Sequence, residues 1–234
     1  MWSGRFEFAD GWAVYRGPVD ANMAHRHAAI QIAVASSGMV RVRCGEAVVR
    51  GRTVIVPSMV RHELLPQESQ VAMFYLEADA PIGRALRRRL AGDGAIAAPP
   101  ALEGVFVTPD PHATIEALSA LLSIRPDVPI DGRLLKALAS LRRGPGAPGA
   151  VKRAADDAGI STSRLRELAQ AELGIALSQW LLWQKLARAS RAIADGAGLA
   201  AAAAAGGFAD QAHFARTMRR MFGITPRAAA DTLV

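Results

Sequence analysis

The chain has 234 residues, 51% of them hydrophobic and 21% charged, which excludes global disorder and gives room for one large domain or two small ones. Its single cysteine, Cys44, excludes an internal disulfide and a thiolate zinc cluster and fits a reducing compartment. The net charge of +7 is uneven: residues 1–126 carry 13 arginines against 12 acidic groups, and residues 127–234 carry 15 basic side chains against 9 acidic ones, so the second half suits a polyanion such as nucleic acid.

From residue 5 to about residue 76 the sequence reads as short strands. "AAIQIAVAS", "GMVRVRC", "EAVVRG", "TVIVPS" and "QVAMFYLEA" are rich in β-branched residues and separated by Gly, Pro and Ser, the pattern of a sandwich or small barrel. "MVRVRC" alternates apolar residues with arginine, as a strand with one wet face does. His25, His27 and Gln31 are all odd-numbered, so one regular strand would point all three inward. This stretch resembles the two motifs of the cupin barrel. The first motif matches as His25, His27, Gln31 in place of an acidic residue, and Gly38. The second matches as Gly51, Pro57, Met59 in place of glycine, and His62. The resemblance implies a barrel whose mouth gathers His25, His27, Gln31 and His62 as an effector or metal site. Three imidazoles and a neutral amide suit a divalent metal such as Zn or Ni, a metal-free small-molecule pocket has the same anchors, and hydrogen-bonded structural histidines are the third reading. Trp2, Phe6, Phe8, Trp12, Ile30, Ile32, Val42, Met73 and Phe74 are expected to form the apolar wall, some lining a pocket and most of them plain core.

"PIGRALRRRLAG" and "PHATIEALSALLSI" then show helical spacing with proline near each start. They predict a connector or dimerisation region over residues 80–127. The clustered arginines of "RALRRRL" read as a solvated helix face. The domain boundary falls near "RPDVP", residues 125–129.

Beyond it every segment is helical, about seven helices with Gly-bearing turns. "VKRAADDAGISTSRLRELAQAELG" reads as helix, turn, helix, with Ser161 as N-cap of the second and Leu165, Leu168 and Ala169 on its inner face. "GLAAAAAAGGFADQAHFARTMRRMFG" repeats the form, with Asp210 as N-cap and Phe214, Met218 and Met221 as the buried stripe. The 18 residues "SQWLLWQKLARASRAIAD" join the two and span about 27 Å as one helix. Gln and Arg near the start of a second helix are what major-groove readout uses. These features resemble the AraC/XylS family of bacterial transcription regulators. The resemblance covers about residues 131–228 and rests on "AADDAGISTSRL", "WLLWQKLARA" and above all "GFADQAHFARTMRRMFGITP". It implies base contacts at Ser163, Arg166 and Glu167 in the first reading helix and at Gln211, Ala212 and Arg216 in the second. Ser161, Arg164, His213 and Arg219 complete the expected DNA-binding set, with phosphate the natural partner of the flanking basic groups.

No run reaches the roughly 18 apolar residues of a membrane span, and "MWSGRFEFADGWAVYRG" carries charge inside its apolar stretch. The expected protein is therefore cytoplasmic, without a membrane partner. Its fold is α+β in two domains: a cupin-like sensor barrel at 1–79, the helical connector at 80–127, and an all-α domain with two helix-turn-helix motifs at 128–234. The expected function is that of a homodimeric regulator that binds double-stranded DNA under control of a small-molecule or metal effector, not an enzyme. The alternative is a cupin-type metal-dependent dioxygenase or isomerase with an appended helical domain. A module that docks its helices on another protein is a third possibility.

Overall fold

The computed structural model describes residues 4–20, 22–66, 69–90, 92, 94–107, 110–123 and 130–227. These fall into two compact units, one made of residues 1–124 with 218–234 and the other of residues 125–217. The expected boundary at 125–129 lies outside the described residues.

The first unit opens with β1 (Arg5–Ala9) and β2 (Trp12–Gly17), followed by β3 (Ile30–Ala35), β4 (Val40–Cys44), β5 (Ala47–Gly51), β6 (Thr53–Val56), β7 (Glu63–Leu64) and β8 (Val71–Leu76). A short β9 (Ile96–Ala97) comes later. They form a six-stranded sheet in the order β1-β2-β8-β3-β6-β9 and a three-stranded sheet in the order β5-β4-β7. Strand β4 behaves as its alternation predicts, with Val40 and Val42 buried and Arg41 and Arg43 exposed. Strand β3 is buried at all six positions, as a central strand covered on both faces must be.

The two faces of β3 divide the unit into layers. Gln31 stands opposite Tyr75 and Ala33 opposite Met73, so the odd-numbered residues share the face that carries the histidine cluster. Ile30, Ile32 and Val34 point the other way. There they join Trp12, Val14, Ile55, Phe74 and Leu76 in a core packed against Ile82 and Leu86 of α1 (Pro81–Arg89), Phe106, and Leu118 of α3 (Pro111–Leu121). Trp12, Ile30, Ile32 and Phe74 are thus core beneath the helices, whereas Met73, Phe6 and Phe8 lie on the cluster side of the sheet. Val42 is buried in the three-stranded sheet, and Trp2 lies outside the described residues. The expected helical pair is present, with β9, the short α2 (Pro100–Glu103) and a 3-10 turn (Gly104–Val107) between its members. Prolines fix the start of each of these helices. Arg89 bonds the carbonyl of Leu122 at the end of α3, so one of the clustered arginines is structural.

The second unit holds α4 (Gly132–Arg143), α5 (Ala150–Asp157), α6 (Thr162–Leu173), α7 (Leu177–Ala194), α8 (Leu199–Ala205) and the start of α9 (Gln211–Phe222). A seventh helix, expected at the C-terminal end, lies mostly outside the described residues. Helix α7 is the spine. It buries Trp180, Trp183, Leu186, Ala189 and Ile193. Two of its three basic groups bond the backbone: Arg188 bonds the carbonyls of Arg142 and Arg143 at the end of α4 and of Ala205 at the end of α8. Lys185 bonds the carbonyl of Gly207 at 2.8 Å. Cations at these helix ends satisfy orphan carbonyls and oppose the negative end of the dipole. The "GPGAPGA" loop has a packing reason. Gly207 is left-handed (φ +72), and a Cβ there would come within 2.8 Å of the Cα of Gly146. Two backbones cross where only glycine fits.

Candidate functional site

The histidines meet, but not by the expected route. His25 forms an isolated antiparallel bridge with His62, each backbone N–H donating to the other's carbonyl at 2.8 Å. The regular strand begins only at Ile30, so His27 lies in the irregular stretch before it. The three rings close up nonetheless, with the His25 and His62 centroids 4.3 Å apart and those of His27 and His62 5.3 Å apart. Their candidate ligand atoms all lie within 4.8 Å of one another. His25, His27, Gln31 and His62 are all buried, none more than 3% exposed. Tyr75 stands edge-on to His27, and Phe222, which belongs to the same unit, lies near both rings.

Each imidazole is held in one orientation. Nδ1 of His25 faces the carbonyl of Met23 at 2.9 Å, that of His27 faces Ala29 at 3.0 Å and that of His62 faces Val60 at 3.0 Å. A carbonyl only accepts, so each Nδ1 carries the proton and donates it. Burial pushes the pKa of His25 down to about 2, with the neighbouring His62 and His27 adding to the effect. It pushes His62 to about 3 and lowers His27 as well. The rings are therefore neutral, and each keeps its Nε2 lone pair. Oε1 of Gln31 lies 3.0 Å from Nε2 of His27 and 3.1 Å from Nε2 of His62, while its Nε2 donates to the sulfur of Met73. An oxygen facing two nitrogen lone pairs is repulsive unless a cation lies among them or the amide turns its NH2 toward the rings. Imidazoles whose far nitrogen donates to a carbonyl are the arrangement found around bound metals. The donor set thus fits a divalent metal: three Nε2 atoms and one amide oxygen, without negative charge.

The motif's replaced glycine keeps its geometry. Met59 has φ +65, the left-handed region that glycine enters freely and a side chain does not. Its N–H donates to the carbonyl of His27 at 2.8 Å, so this turn ties the two motifs together.

In the second unit the expected reading faces are exposed. Ser161 caps α6 by accepting from the N–H of Arg164 at 3.1 Å. Leu165, Leu168 and Ala169 are buried, while Ser163, Arg164, Arg166 and Glu167 are exposed. Arg164 pairs with Glu167 at 3.1 Å, so that carboxylate sits beside a positive charge. At α9, Asp210 accepts from the N–H of His213. Gln211, Ala212 and Arg216 are exposed, and Phe214, Met218 and Met221 are buried. His213 is half-buried with its ring edge-on to Phe208, 5.3 Å away. Arg219 belongs to the first unit, where its Nε meets the sulfur of Met23 at 3.3 Å. Sequence reasoning missed Met23, Ala29 and Val60, whose carbonyls orient the histidines. A backbone acceptor leaves no mark in the sequence.

Residues 154–231 match the family model of a helix-turn-helix domain. No curated protein sequence matches the chain. Among solved structures, an apo variant of ToxT from Vibrio cholerae is similar with a TM-score of 0.61 at 12% identity, over 97% of this chain and 100% of that one. ToxT from the same organism bound to an unsaturated fatty acid is similar with a TM-score of 0.60 at 10% identity, over 96% of each chain. An AraC-type DNA-binding domain protein from Chromobacterium violaceum has 27% identity over 42% of this chain and 91% of that one, with a TM-score of 0.39. Among the described residues no helix is long and apolar enough to cross a membrane. Residues 154–231 thus form a helix-turn-helix domain by sequence, and the chain shares the fold of ToxT.

Proposed function

We propose that this chain is a cytoplasmic, homodimeric transcription regulator that reads two stretches of major groove and answers to a ligand in its barrel. The reading rests above all on one observation: two capped helices, α6 and α9, expose polar faces inside a matched helix-turn-helix domain. Ser163, Arg166 and Glu167 meet bases from α6, and Gln211, Ala212 and Arg216 do so from α9. Ser161, Arg164, His213 and Arg219 lie along the phosphates. The sensor barrel is residues 1–79, the connector and dimer contact 80–127, and the DNA-binding domain 128–234.

The effector is a small molecule or a divalent metal such as Zn or Ni, anchored on His25, His27, His62 and Gln31. The converging Nε2 atoms support the metal reading, and the unsaturated fatty acid in a ToxT of similar fold supports the small-molecule one. A metal there supplies positive charge to a buried neutral site; the chain orients its ligands through backbone carbonyls.

Selection of bound fragments from a random DNA pool, with and without zinc, tests both halves. Enrichment of a defined sequence is expected, weakened about 5- to 150-fold by Arg216→Ala, the equivalent of about 1–3 kcal/mol for a base-reading arginine. Failure to enrich any sequence at low salt overturns the DNA reading. Zinc competition with a chromophoric chelator addresses the metal by itself: Gln31→Glu should tighten binding and His62→Ala abolish it.

A further inference from the structure

Among the described residues no carboxylate or thiolate joins His25, His27 and His62. The acidic position of the first motif is Gln31, a neutral amide. The full charge felt at His25 is the positive one of Arg61. The rings are neutral and all four side chains are buried, so an ion that enters brings the whole charge of the site with it. The cost of burying an ion rises with the square of its charge, about fourfold from a monovalent to a divalent ion of similar size. An acidic residue at position 31 would leave a divalent ion with a single net positive charge. With glutamine there, a monovalent ion leaves the same.

The softness of the donors points the same way. Met73 is only 1% exposed and stands opposite Ala33, on the face of the sheet that carries the cluster. Its thioether sulfur accepts from Nε2 of Gln31 at 3.7 Å and from the hydroxyl of Tyr75 at 3.8 Å. One amide therefore touches the sulfur through its nitrogen and, through its oxygen, His27 and His62. Both hydrogen bonds to sulfur are long and weak, so one of them is readily exchanged for a bond from sulfur to metal. Imidazole and thioether donors without a carboxylate suit copper in its cuprous state, whereas zinc and nickel gain from harder or anionic ligands. A reducing compartment, which the lone Cys44 fits, holds copper in that state.

We propose that the site is built for a cuprous ion, held by Nε2 of His25, His27 and His62 and by the sulfur of Met73, and that Met73 and Gln31 decide this choice over zinc or nickel. The inference rests on the metal reading of the histidines and names the ion. Met73 supplies the soft donor. Gln31 withholds the negative charge that would favour a divalent ion and keeps the sulfur beside the rings.

Anaerobic competition of the full chain against bathocuproine disulfonate for cuprous ion, and separately against a chromophoric chelator for zinc, tests it. One cuprous ion per chain is expected, lost in His62→Ala and kept in Cys44→Ser. Met73→Leu, which conserves the volume of the core, should weaken cuprous binding by about tenfold and leave zinc unchanged. Gln31→Glu should move the ratio of the two affinities toward zinc by about tenfold. Should that variant not fold, Met73→Leu carries the test. X-ray absorption of the copper-loaded parent should show a copper–sulfur shell that Met73→Leu lacks. Zinc bound at the histidines without cuprous ion overturns the choice of ion and leaves the metal reading standing. So does a Met73→Leu variant that changes both affinities equally or neither. Binding of neither ion overturns both.

Discussion

Met59 is a side chain held where the backbone favours none. Its φ of +65 costs about 1–2 kcal/mol for a residue with a Cβ. The turn is kept because its N–H reaches the carbonyl of His27 and aims His62 into the cluster. Met59→Gly should therefore raise stability by about 1 kcal/mol, read as a higher urea midpoint with an unchanged slope, and leave the histidine geometry intact. The three histidines pull the other way on acidification. Their folded pKa values lie below the unfolded value of 6.5, at about 2 for His25 and about 3 for His62, so the unfolded chain takes up protons first. Stability is full above pH 6.5 and falls as the pH drops from there toward 3. Each such histidine lowers the folding constant by about tenfold per pH unit in that window. Urea titrations of the metal-free protein between pH 7.5 and 5 should show the loss, and His25→Asn should make it shallower.

Elements reveal what a sequence can and cannot announce. The strands were legible because alternation at β4 and the β-branched run of β3 report burial directly, and the reading helices because Ser161 and Asp210 mark their starts. The membership of the histidine cluster was legible from spacing. Its construction was not: His25 and His27 precede the regular strand, and a bridge to His62 does the work expected of strand parity. The crossing of Gly146 and Gly207 was invisible for a related reason, a contact between two loops that each read only as turns. Gly207→Ala should cost more than Ser161→Ala, because it adds left-handed strain and a backbone clash, whereas losing the cap costs about 1 kcal/mol. Thermal unfolding of the two variants side by side gives the order.

For the molecule as a whole, charge is divided between binding and building. The second half holds the excess of positive charge, yet Lys185 and Arg188 are engaged with carbonyls at helix ends, and Arg142 stacks on Trp180 while bonding Gln184. Net charge alone overstates what is left for a polyanion. The exposed Arg166 of α6 and Arg216 of α9 are among the groups with no carbonyl or carboxylate bond of this kind.

One guanidinium fastened to the ends of both α4 and α8 turns the linking helix from a tether into a ruler. A tethered pair of heads would tolerate a half-site moved by a full turn of the duplex, roughly 10 base pairs. A fastened pair does not, and the operator should be lost on moving either half-site by 5 or by 10 base pairs, while Arg188→Ala should recover part of the binding to the 10-base-pair insertion. The length written into the DNA would then be set by a side chain that never touches it.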